Sequence, residues 1–181
     1  MDLRQSPAVR PGSDAPALPG VGVIVETLLI GMHGGRLTYR VAERMLGDEE
    51  HPDAAALRLT GFDDGTVAGR VLHSTSWRFA NGRIVLTYAA LPDPDPGTAL
   101  VFTAPEVLAA GGGPLSPAPA QIGAADVVAH ACRHLALLSR TDPVIAAAAV
   151  SYPQLWALLD AHRPDVAGLL HQPELLHVSP H

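Results

Sequence analysis

At 181 residues with 48% hydrophobic content, the chain is long enough for one well-buried core and short for two, so a single domain is expected over 19–181 behind a disordered tail at 1–18. A net charge of −6 gives no electrostatic footprint for nucleic acid, no apolar run suits a bilayer, and the first residues lack the apolar stretch of a signal peptide, so cytoplasmic residence is expected. All 12 basic residues are Arg, which excludes a Schiff-base lysine, a P-loop lysine or a Ser-Lys dyad within the chain, and the single Cys132 excludes an internal disulfide and a CxxC pair. The richness in Arg, Ala, Gly and Pro is of a bacterial, GC-rich type.

Residues 21–30, VGVIVETLLI, are almost continuously apolar, as expected for a strand covered on both faces. His33-Gly34-Gly35 supplies a turn, and 36–45 alternates Leu37, Tyr39 and Val41 against Arg36, Thr38 and Arg40, so the two segments are expected to pair as a hairpin. After the acidic loop 47–53, Asp53 is placed to cap a short helix over 54–59. Asp63-Asp64-Gly65 is a further turn signal leading into the next strand.

The stretch 69–92 is where pattern and turn chemistry agree best. Asn81-Gly82 suits a type I′ turn, because both positions of that turn need positive φ. Counting outward pairs Ala80 with Arg83, Phe79 with Ile84, Trp77 with Leu86, Thr75 with Tyr88 and His73 with Ala90. That face is apolar, and Trp77 is expected in the core. The opposite face sets Leu72, Ser74, Ser76 and Arg78 against Val85, Thr87 and Ala89.

Prolines at alternate positions make 91–97 a stiff loop, whose Asp93 and Asp95 alone are too few for a cation site. A short strand is expected over 99–103, one or two helical turns over 105–110, and a linker over 111–120. Residues 123–140 place Val127, Val128, Ala131, Leu135 and Leu138 on one helical stripe, with Asp126 near the start and Arg140 at the end to suit the helix dipole. Pro143, Pro153 and Pro164 open three further short helices. The reading is an α+β domain: a mixed or mainly antiparallel sheet of about six strands built on the central hairpin, mainly β over 19–104, covered by helices from 121–171.

Two constellations carry candidate chemistry. Ser74, Ser76 and Thr87 form a row of hydroxyls beside Arg78, and a guanidinium with hydroxyl donors suits a small anion. His130 and His134 stand i, i+4 on the best helix, with His73 a third candidate ligand for a metal, but HACRH lacks the Glu of the zinc-protease signature. No GxSxG elbow marks a serine nucleophile, and the triple glycine at 111–113 runs into Pro114 rather than a helix start. His171, His177 and His181 are expected to be solvated.

The order VGVIVETLLI, GGRLTYRVAERM, HPDAAALRLTGFDDG and VLHSTSWRFANGRIVLTYAALP resembles the layout of Nudix hydrolase domains. The resemblance lies in arrangement over 21–92, with Gly47, Asp53, Arg58, Gly61 and Phe62 on the pattern of the Nudix box. In that family an Arg-Glu and a Glu-Glu pair on the box helix bind magnesium; here Leu59 stands where a Glu belongs and the Glu-Glu pair is missing. The resemblance therefore implies an α/β/α sandwich without Nudix catalysis or its metal cofactor. The expected function is a non-catalytic domain binding a small anionic, nucleotide-type ligand at Arg78, Ser74, Ser76 and Thr87, or a protein partner. The alternatives are a metal-dependent hydrolase using the histidines and a structural or homo-oligomer-forming domain.

Overall fold

The computed structural model describes residues 21–62, 67–105, 119 and 121–162. The expected turn at 63–65, the helical turns after 105, the linker up to 118 and the last helix lie outside them, as do the tail and the three C-terminal histidines.

The first strand, β1, covers Val23–His33 and β2 covers Arg36–Met45, joined by Gly34 and Gly35, both at positive φ. Pro52–Thr60 forms helix α1, Val71–Ala80 and Arg83–Leu91 form β3 and β4, and Leu100–Val101 forms a short β5. Helices α2, Ala124–Thr141, α3, Pro143–Ala149, and α4, Pro153–Asp160, complete the described chain. The prolines at the first positions of α1, α3 and α4 each supply the φ a helix start needs and remove an N–H that would have no partner there. The cap of α1 is His51, whose side chain accepts from the Asp53 N–H; Asp53, expected as the cap, instead accepts from the Tyr88 hydroxyl at 2.6 Å.

The five strands lie in the order β3-β4-β1-β2-β5, with β4 parallel to β1 and the remaining pairs antiparallel. The sheet is thus mixed and its centre is β1; the β3–β4 hairpin, expected at the centre, forms one side of it. The apolar run of β1 follows from this place, because both of its faces are covered. On one face Leu28 and Ile30 pack with Leu37, Ala89, Leu91 and residues of α2 and α4. On the other, Val25 and Tyr88 pack against Ala55 and Ala56 of α1. Helices therefore sandwich the sheet, with, among the described residues, one short helix on one face and three on the other.

The hairpin turns as its sequence requires, with Asn81 at φ 52° and Gly82 at φ 76°. Ala80, Phe79 and Trp77 face Arg83, Ile84 and Leu86 as expected. The pairing of Thr75 with Tyr88 is overturned by a β-bulge between Ser74 and Ser76, after which Ser74 faces Tyr88 and His73 faces Ala89. One extra residue reverses the alternation, so His73 points to the α2 face and Ser74 to the α1 face.

Trp77 is not in the core. It is 70% exposed and Phe79 66%, whereas the other tryptophan, Trp156 of α4, is 3% exposed. The pair Trp77–Leu86 holds, but α1 is nine residues long and lies mainly over β1, β2 and β4; Leu72 of β3 still packs on that side, while the end of β3 that carries Trp77 and Phe79 is left uncovered by the described residues.

Candidate functional site

Arg78 stands on the α2 face of β3 and reaches across β4. Its Nη1 and Nη2 donate to the two oxygens of Glu26 on β1 at 2.9 and 2.8 Å, and Nη1 also donates to Thr87 Oγ1 at 3.0 Å. The Thr87 hydroxyl in turn donates to Glu26 at 2.9 Å, which closes a three-residue network. The hydrogen bond to Glu26 holds the Arg78 guanidinium above its ordinary pKa against the opposing effect of burial. Of the four expected ligand-binding residues, Arg78, Ser76 and Thr87 share this face. Ser74, displaced by the bulge, is exposed on the opposite one and leaves the row.

Glu26 is the residue that the row of hydroxyls had concealed. A signal for it exists in the sequence: it is the one charge in an apolar run expected to be covered on both faces, and a buried carboxylate needs a cation. A second buried carboxylate, Asp93, is likewise paired. It accepts from Arg40 Nε at 2.9 Å and from the Asp95 N–H at 2.9 Å, and its own N–H donates to Ile30. Its Cβ stands only 2.9 Å from where a side chain at Gly31 would begin, so the loop lies directly against bare backbone.

The histidines come together in part. His73 and His134 place their Nε2 atoms 3.2 Å apart with rings tilted by 28°, close enough for one N–H···N bond between β3 and α2. Burial holds the His134 pKa below its ordinary value, and charge on His73 and His130 would lower it further. Its Nδ1 is buried with no hydrogen-bond partner among the described residues. The Nε2 separation is near the roughly 3.3 Å between two ligands of a tetrahedral zinc with bonds of about 2.0 Å. Yet among the described residues no group of three or more His, Cys, Asp or Glu is arranged to hold a metal ion. Cys132 is buried and free, its thiol pushed up to about 12 by burial, so it is inert as a nucleophile and as a ligand.

Two surfaces remain. A cavity of about 340 Å³ opens where β1 and β4 end, lined by Met32, Pro92, Asp93, Pro96 and residues 151–155 at the start of α4. The outer strand β3 has no neighbour on its free side among the described residues, and its last turn before the loop carries the two exposed aromatics. Among the described residues no helix is long and apolar enough to cross a membrane. No family model matches the chain, and no curated protein matches it.

Proposed function

We propose that this chain is a non-catalytic binding domain on a Nudix-like scaffold, and that its working surface is the free side of β3, where it takes a protein partner. The observation that carries the reading is the pair Trp77 and Phe79, 70% and 66% exposed on an outer strand whose free side has no neighbour among the described residues. Burying two such rings is a large hydrophobic gain that an isolated chain forgoes, and aromatic residues are enriched where proteins meet. A strand with a free backbone side can accept another strand by main-chain hydrogen bonds, with side chains giving specificity. The scaffold reading is supported by the order β1-β2-α1-β3-β4 and by helices on both faces of the sheet. The non-catalytic reading is supported by Glu50, which is held by Arg44, Arg58 and the Gly47 N–H rather than presented to a metal.

A photo-reactive phenylalanine analogue at position 79, irradiated in cells making the full chain, should yield discrete protein adducts. The same group at Leu57, which is 49% exposed on α1, should not. No adduct from position 79 would overturn the reading.

The small-ligand reading has one observation in its favour, the cavity at the ends of β1 and β4. Its volume of about 340 Å³ suits a small molecule, and ligands commonly bind beyond the carboxyl ends of parallel strands. Among the described residues no side chain caps α4 beside it, which leaves backbone N–H groups to meet an anion. Phosphate-bearing compounds would then raise the melting temperature, and Gln154→Trp, which fills the cavity mouth, would abolish the rise. A rise unaffected by that change would place the ligand elsewhere.

A further inference from the structure

We infer that the partner taken by β3 is a second copy of this chain, joined by two-fold antiparallel pairing centred on Arg78; this rests on the protein-binding reading above and names its partner. The argument begins with the ladder. The type I′ loop makes Ala80 and Arg83 a hydrogen-bonded pair, so Arg78–Val85 and Ser76–Thr87 are also hydrogen-bonded pairs, while Phe79 and Trp77 direct their N–H and C=O groups away from β4. Antiparallel pairing of two such strands about Arg78 sets Trp77 opposite Phe79 of the other copy, and Phe79 opposite its Trp77. Both are hydrogen-bonded pairs in that register, so the outward groups of all four residues are satisfied at once.

The same register resolves the exposed side chains. Trp77 and Phe79 lie on one face, so the two cross-strand pairs are aromatic on aromatic, and each shields apolar surface that α1 leaves open. The Arg78 side chains fall opposite each other on the other face, where each is already neutralised by Glu26. A register centred on Trp77 would instead bring the bulge at Thr75 opposite Phe79 and interrupt the ladder. Natural outer strands are shielded by Lys, Pro, bulges or inward-pointing charges; residues 76–80, SWRFA, lie beyond the bulge of β3, hold no Lys or Pro, and carry one charge, Arg78, which is paired with Glu26. The contact is short, so the dimer belongs with weak interfaces. The net charge of −6 on each copy opposes it, and added salt strengthens it.

Sedimentation equilibrium of the full chain from low to high micromolar concentration should show monomer and dimer. Trp77→Lys should weaken the dimer by roughly thirtyfold at each of two symmetric positions, about a thousandfold together, with the fold of the dilute chain unchanged by circular dichroism. Register is tested separately, since residues 76 and 80 are opposed only between copies. A mixture of Ser76→Cys and Ala80→Cys chains should oxidise to a disulfide heterodimer, whereas neither chain alone should crosslink.

A chain that stays monomeric throughout, or a dimer indifferent to Trp77→Lys, overturns the inference. So does crosslinking of either cysteine variant with itself in preference to the mixture. If the chain is monomeric while position 79 captures a different protein, this inference falls and the protein-binding reading stands. If position 79 captures nothing, both fall.

Discussion

The carboxylate of Glu26 and the guanidinium of Arg78 stand on strands separated by β4 and close a bidentate pair over it, at 2.8 and 2.9 Å, with Thr87 bonded to both. The Glu26 side chain is 8% exposed and that of Arg78 23%, so neither charge is well solvated if the other is lost.

Arg78→Ala should therefore lower stability by about 3 kcal/mol or more, because it leaves Glu26 buried without its cation. The double change Glu26→Leu with Arg78→Met should recover most of the loss, since an apolar pair needs no desolvation of charge. Urea denaturation of the three variants checks this, and an unchanged midpoint for Arg78→Ala would show that Glu26 keeps its solvation.

The two tryptophans should behave oppositely. Trp156→Ala removes a ring packed in the core between the sheet and the helices and should cost about 3–5 kcal/mol. In the dilute chain Trp77→Ala should stay within about 0.5 kcal/mol of the parent. Thermal or urea unfolding separates them; equal losses would mean that Trp77 is covered.

The pH dependence follows from His134, whose native pKa lies below its ordinary 6.5, mainly through burial. As pH falls through about 6.5 the unfolded chain takes up this proton before the native one, so it binds more protons and stability drops. The drop continues to the native pKa and then levels off. His134→Gln should flatten this part of the profile, measured as the urea midpoint between pH 8 and pH 5. Part of the slope should remain from His162, whose pKa is lowered by burial and by Arg133.

Cys132 should be unreactive toward thiol reagents in the native chain. Its thiol is fully buried and pushed up to about 12, leaving almost no thiolate at neutral pH. Labelling should proceed at the rate of unfolding and accelerate with urea; rapid native labelling would show that α2 opens locally.

What was legible in the sequence is local. Asn81-Gly82 states its turn because only positive φ closes a two-residue loop with the right twist, and the prolines state the starts of α3 and α4 because they cannot stand deeper in a helix. The stripe from Val127 to Leu135 likewise predicts α2 to within a residue or so, since its periodicity is written in the residues that fold. The tertiary structure decided what depends on distant parts of the chain. That Trp77 is exposed and Trp156 buried follows from where a nine-residue helix lies on the sheet, which the alternation within β3 does not encode. That Ser74 leaves the hydroxyl row follows from one bulged residue, which reverses every side chain beyond it. That Arg78 meets Glu26 follows from β4 lying parallel to β1, a pairing between segments more than fifty residues apart whose choice is made by the packing of the whole sheet.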